Sequence, residues 1–129
     1  MKNLTLLIVL LISINCSAII KRTPLPPEFY TCWKSAHEEN DEKANTQVFR
    51  PCTNEFRPSM FRLSIEFFKD GKCKYLHAGP TDNHYFVEGK WTYNSKTKIV
   101  TVFDDKKKRE YKFKVIEAKG DILKISAWL

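Results

Sequence analysis

The sequence predicts an all-β fold: a single antiparallel up-and-down meander of about eight strands that closes into a barrel. Three observations carry this expectation. Apolar and polar residues alternate through Phe61-Arg62-Leu63-Ser64-Ile65-Glu66-Phe67 and through Tyr111-Lys112-Phe113-Lys114-Val115, as half-buried strands require. Turn signals recur at short, regular intervals: Asp70-Gly71, Asn94-Ser95-Lys96, Asp104 to Lys108 and Lys119-Gly120-Asp121. No helical period of useful length interrupts them.

Taken in order, the chain of 129 residues opens with Met1-Lys2-Asn3 and an apolar run from Leu4 to Ile14. Such a run is short for a bilayer span but normal for a secretion signal. Residues 1–18 are therefore expected to be a signal peptide, cleaved after Ala18. The alternative is a lipid anchor, since Ser13-Ile14-Asn15-Cys16 resembles a relaxed bacterial lipobox with Cys16 as the acylated residue. No second stretch is apolar enough to cross a membrane as a helix. Residues 19–28 read as a linker, because Pro24-Leu25-Pro26-Pro27 favours extended chain. The barrel domain is expected over residues 29–129. Its strands should run through Phe29 to Ser35, Thr46 to Arg50, Phe61 to Phe67, Cys73 to His77, Tyr85 to Tyr93, Lys98 to Phe103, Tyr111 to Val115 and Ile122 to Trp128. Asp70-Gly71 is the strongest hairpin signal, expected as a type I′ turn.

Closure into a barrel removes exposed edges and leaves an interior for side chains or one small ligand. Trp33, Leu63, Ile65, Phe67, Tyr75, Val87, Trp91, Phe113, Val115, Leu123 and Ile125 are expected inside. The formal charge is +7, and removal of residues 1–18, whose only charge is Lys2, leaves +6. The densest basic run, Lys106-Lys107-Lys108-Arg109, falls in a hairpin turn beside Asp104-Asp105. A nucleic-acid surface would instead interleave basic and aromatic residues on one face. Cys32, Cys52 and Cys73 remain after processing, enough for one disulfide and one free thiol. Export favours oxidation, and Cys52 with Cys73, flanking the central strand, is the favoured pair. Their spacing suits neither a zinc ribbon nor a Cys-x-x-Cys pair.

The pattern resembles the small bacterial lipocalin-like proteins. The residues that carry the resemblance are Trp33, the Phe67 to Gly71 hairpin, Gly89-Lys90-Trp91 and the alternating strands from Tyr111 to Ile125. A narrower similarity, to an uncharacterised exported subgroup, rests on Trp33 with Glu38-Glu39, Phe49-Arg50-Pro51, Pro58-Ser59 with Arg62, and Gly79-Pro80-Thr81-Asp82. The match spans nearly all of residues 30–127. The chain departs from lipocalins in lacking a Gly two residues before Trp33 and in offering Lys124 on its last strand where they set an Arg. The resemblance implies a barrel and a binding role; the subgroup brings no activity with it.

The residues point to binding rather than catalysis. His77 and His84 with Asp82 or Glu88, and the acid run Glu38-Glu39-Asp41-Glu42, are the groups that suggest acid–base chemistry, but an acid run in a loop is usually a solvated face and no nucleophile elbow or phosphate loop accompanies them. No catalytic, metal or cofactor site is expected. The candidate ligand-binding residues are the inward aromatics Trp33, Phe67, Tyr75, Tyr85, Trp91, Tyr111 and Phe113. Gly79, Pro80, Thr81 and Asp82 should form a loop at the barrel mouth. Arg50 and Arg62 should pair with Glu38, Glu66 or Asp82. The expected protein is an exported monomer, secreted or held in the cell envelope, that carries or senses a small hydrophobic molecule. The alternative is a filled barrel that acts on another protein as an inhibitor or assembly factor. Neither reading involves nucleic acid, and membrane contact is expected only through a lipid on Cys16.

Overall fold

The computed structural model describes residues 24–78, 84–104, 106 and 108–129. Within them lie β1 (Cys32–Ser35), β2 (Thr46–Pro51), β3 (Ser64–Phe67), β4 (Lys72–Ala78), β5 (His84–Asn94), β6 (Ile99–Asp104), β7 (Arg109–Lys119) and β8 (Ile122–Ser126). Each is antiparallel to its neighbours, and the eight close into a barrel in the order β1-β2-β8-β7-β6-β5-β4-β3. The all-β meander expected from the sequence is thus the observed architecture.

From β3 to β8 the strands follow one another as consecutive hairpins. The start of the chain is permuted. β1 pairs with both β2 and β3, and it is β2 that closes on β8. β2 and β3 therefore run in the same direction on either side of β1, and residues 52–63 return the chain from one end of the barrel to the other. This link crosses the outer face of β1, where Phe56 receives Lys34 Nζ at 5.4 Å and the Arg62 guanidinium at 5.3 Å over its ring.

That topology corrects the disulfide. The pairing is Cys32–Cys52, not Cys52–Cys73. The register Trp33↔Pro51 sets Cys32 opposite Cys52, and the Cys52 N–H donates to the Cys32 carbonyl at 2.9 Å. Their Cα atoms are 5.4 Å apart, within the span that a disulfide bridges. Cys73 alternates with Tyr75 onto the inner face of β4 and stays a buried free thiol.

The residues read as a linker are also corrected where they are described. Leu25 is buried, Pro27–Phe29 forms a 3-10 turn, and Phe29 is 0% exposed. The turn forms because Pro27 has a preset φ and no N–H to satisfy at the first helical position. Phe29 closes one end of the barrel, stacked on Phe67 with centroids 4.5 Å apart and tilted against Trp91 at 5.5 Å. Its carbonyl accepts the Trp33 indole N–H at 3.0 Å, tying the turn to β1.

Of the eleven positions expected inside, nine are buried, and Leu63 and Val87 pack partly buried against them. Phe49, Val100 and Val102 complete the core. The β3–β4 hairpin differs from the expected type I′ turn. Only Gly71 has positive φ (86°), and the Gly71 N–H donates to the Phe68 carbonyl at 3.2 Å. This is a three-residue loop ending in a left-handed glycine. Gly89 is required for a different reason. A Cβ there would lie 2.7 Å from the Phe103 carbonyl oxygen, so β5 and β6 approach each other only without one.

Candidate functional site

Alternating strand direction brings the starts of β3, β5 and β7 and the ends of β4, β6 and β8 to the end of the barrel opposite Phe29. There the interior is not filled. A cavity of about 420 Å³ is lined by Phe61, Leu63, Ile65, Tyr75, Leu76, Val102, Tyr111 and Trp128. Strand alternation supplies Ile65, Tyr75, Val102 and Tyr111, which occupy neighbouring register positions: Ile65↔Tyr75 across β3–β4 and Val102↔Tyr111 across β6–β7. Phe61 and Leu63 come from the returning link. Trp128 follows β8 and packs edge-on against Tyr111 at 6.1 Å and Phe113 at 5.2 Å. The Leu129 N–H fixes this tail by donating to the Lys112 carbonyl at 2.9 Å.

One polar cluster adjoins this apolar wall. Asp104, 1% exposed, is the last inward residue of β6. Its Oδ1 accepts the Lys106 N–H at 3.1 Å, and its carboxylate is hydrogen-bonded to Tyr75. Burial first, then the facing Asp104 charge, push the Tyr75 hydroxyl well above its ordinary pKa. Tyr75 therefore remains neutral at any physiological pH. Its ring meets Tyr111 edge-on at 6.1 Å.

Of the seven aromatics expected to contact a ligand, only Tyr75 and Tyr111 line the cavity. Trp33, Phe67, Trp91 and Phe113 are buried in the packed closed half, with Phe67 5.3 Å from Trp91 and 6.4 Å from Phe113. Half-buried Tyr85 lies on the same alternating face of β5 as Val87 and Trp91 but is not part of the lining. The wall residues Phe61, Leu76 and Trp128 went unread as ligand contacts. Phe61 and Trp128 lie beyond the ends of β3 and β8, where no periodicity marks a side chain, and Leu76 stands within β4 at the position alternate to the inward Cys73 and Tyr75.

Two Arg–carboxylate pairs brace the barrel, Arg62 at the open end and Arg50 reaching the β7–β8 turn at the other. Arg62 binds Glu38 through both guanidinium nitrogens, Nη1 at 2.9 Å from Oε2, and also donates to the carbonyls of Ser35 at 3.0 Å and Arg57 at 2.8 Å. The Arg62 hydrogen bonds, foremost, hold the Glu38 carboxyl down to about 2. Arg50 grips Glu39 at 2.9 and 2.7 Å and reaches Asp121 at 3.2 Å, lowering the Glu39 pKa in the same way. Of the partners expected for these arginines, Glu38 is observed, Glu66 is not among the bonds of either arginine, and Asp82 lies outside the described residues. Glu39, one residue on, takes Arg50.

The Gly79-Pro80-Thr81-Asp82 loop lies outside the described residues, as does any geometry between Asp82 and the histidines. His77 and His84 enter the β4–β5 ladder opposite Tyr85 and Ala78, and the exposed His84 ring rests against Phe61 at 5.0 Å. Among the described residues no three His, Cys, Asp or Glu side chains converge as metal ligands, and no helix is long and apolar enough to cross a membrane. Cys73 is no nucleophile at neutral pH, because burial pushes its thiol up to about 11.

The fold and the site together define a class: an eight-stranded antiparallel barrel, packed at one end and hollow at the other. Comparison with protein-family models, with curated proteins and with solved structures gives no match.

Proposed function

We propose that this protein is an exported carrier or sensor of a small hydrophobic molecule, built like the small bacterial lipocalin-like proteins and acting by binding rather than catalysis. The observation that carries the reading is the cavity. Eight strands enclose an interior that side chains can fill completely, yet about 420 Å³ beside Tyr75 and Tyr111 is left empty. That volume falls within the ~300–1,000 Å³ typical of small-molecule sites, and an apolar wall with a few hydroxyls is their usual chemistry. Packing that space with side chains would stabilise the fold, so a preserved void supports a functional role.

The apolar run from Leu4 to Ile14 and the Cys32–Cys52 disulfide support export to an oxidising compartment, secreted or in the cell envelope. The closed strand order, which leaves no edge to recruit a second copy, supports a monomer. Native mass spectrometry of the protein from its own host, before and after mild denaturation, tests the reading. A small molecule that co-purifies and leaves on unfolding is the expected result. A bare mass, together with failure to bind an apolar fluorescent probe, would overturn it in favour of a filled barrel that acts on another protein.

A further inference from the structure

We infer that the cavity selects a neutral ligand whose polar end is a hydrogen-bond donor, a hydroxyl or an N–H, over an ether or a carboxylate on the same apolar body. The inference rests on the carrier reading and names the class of ligand for its cavity. What carries it is the juxtaposition of Tyr75 in the cavity wall with Asp104 behind it.

Among the described residues, the eight that line the cavity carry no charge, and only Tyr75, Tyr111 and Trp128 bring a polar side-chain atom. Trp128 is more than a third exposed, so water competes for its N–H. The hydroxyl of half-buried Tyr111 rotates to donate or to accept, and so discriminates little. Tyr75 differs from both. It is 6% exposed, and its hydroxyl is hydrogen-bonded to the Asp104 side chain. A carboxylate only accepts, so the proton in this bond is the tyrosine's. Burial and the facing Asp104 charge hold that proton in place by raising the Tyr75 pKa. A hydroxyl has one proton and two lone pairs, which leaves Tyr75 only lone pairs to offer a ligand. The bond to Asp104 also polarises the hydroxyl and makes its oxygen a stronger acceptor. Its position is fixed, because the ring packs edge-on against Tyr111 at 6.1 Å and the backbone pairs with Ile65 on one side and Val87 on the other.

A ligand hydroxyl or N–H that reaches this oxygen completes a chain from ligand to Tyr75 to Asp104 in which every proton is used. An ether or carboxylate oxygen in the same place sets acceptor against acceptor, with no proton between them. Polar groups buried in that way lose their bonds to water and gain none in return. The apolar wall contributes equally to all such ligands, so the polar end decides among them.

Equilibrium dialysis of the protein near neutral pH against naphthalene, 2-naphthol, 2-methoxynaphthalene and 2-naphthoate tests the inference. The last three share one apolar body and end in a donor, an ether and a carboxylate. The expected result is that 2-naphthol binds about fivefold tighter than 2-methoxynaphthalene, although the ether is the more apolar of the two. The carboxylate of 2-naphthoate should bind about tenfold or more weakly than 2-naphthol. Tyr75→Phe keeps the ring and removes the lone pairs, so 2-naphthol should lose its advantage over the ether in that variant. Should the variant fail to fold by circular dichroism, the order of the ligands on the unsubstituted protein decides. Binding of 2-methoxynaphthalene or 2-naphthoate as tight as that of 2-naphthol would overturn the donor preference, as would an advantage that persists in folded Tyr75→Phe. Naphthalene binding would in those cases still uphold the carrier reading. Binding of none of the four would overturn both.

Discussion

The replacement Phe29→Ala tests the closed end of the barrel, where Phe29 packs from a 3-10 turn rather than from the first strand that the sequence suggests. Phe29 is wholly buried, stacked on Phe67 at 4.5 Å and within 5.5 Å of Trp91. Truncating a buried Phe to Ala removes its transfer free energy and leaves a cavity, at a cost of about 3–5 kcal/mol. The Trp33 indole bond is to the Phe29 carbonyl and survives the substitution, so the loss is one of packing alone. A solvent-facing residue at this position would instead change stability by less than about 0.5 kcal/mol. Urea unfolding followed by tryptophan fluorescence reads the difference from the midpoint and slope. Because a domain has only about 5–15 kcal/mol to lose, Phe29→Leu provides a milder companion, expected to cost about 1.5 kcal/mol or less. A Phe29/Phe67 double-mutant cycle should return a coupling of about 0.5–1.5 kcal/mol for the stacked pair. A Phe29→Ala cost below about 1 kcal/mol would refute a barrel end closed by this ring.

Further outcomes follow from the same contacts. Replacing both Cys32 and Cys52 by Ser frees a loop of sequence separation 20 and should cost about 3 kcal/mol, measured by urea unfolding under non-reducing conditions. In the chain without residues 1–18, Cys73 should resist a thiol reagent near neutral pH until the protein is unfolded and then react as a single thiol; fast labelling of the native state would contradict its burial. Glu38 has a folded pKa of about 2 against an ordinary 4.5, so its stabilising contribution is present above the higher value. That contribution is lost as pH falls toward the lower one. Arg62→Met should therefore flatten the acid limb of the stability curve between those values, and an unchanged limb would exclude the pair as its origin.

Much of the fold was legible because it is local. Alternation at Phe67, Tyr75, Trp91, Phe113 and Ile125 marks inward faces regardless of where a strand sits in the ring, and turn residues mark the hairpins from β3 to β8. The permutation of β1 and β2 is not local. It depends on which strands close the barrel, and nothing in Thr46 to Pro51 encodes pairing with β8 rather than β3. The disulfide error does not follow from it: Cys32 and Cys52 sit at matching distances from the ends of the β1–β2 hairpin, a pairing that a sequential meander makes as well. Leu25 was hidden among prolines, which signal extended chain whether that chain is solvated or packed.

The site was legible only in part. Tyr75 and Tyr111 border empty space while Phe67 and Phe113 border each other, and no periodicity distinguishes an aromatic beside a void from one beside a ring. Asp104 reads as a turn acid next to Asp105, yet its register position after Val100 and Val102 turns it inward. The residues that line the mouth, Phe61 and Trp128, lie outside the strands altogether.

The most direct measurement is a titration of an apolar fluorescent probe into the protein and into the double variant Leu63→Trp, Val102→Phe, which fills the cavity from two sides. The account predicts saturable one-to-one binding to the unsubstituted barrel. In the double variant, still cooperatively folded, binding should weaken at least tenfold. Equal binding by both proteins, or no binding by the unsubstituted barrel, would contradict a ligand site between Tyr75 and Tyr111.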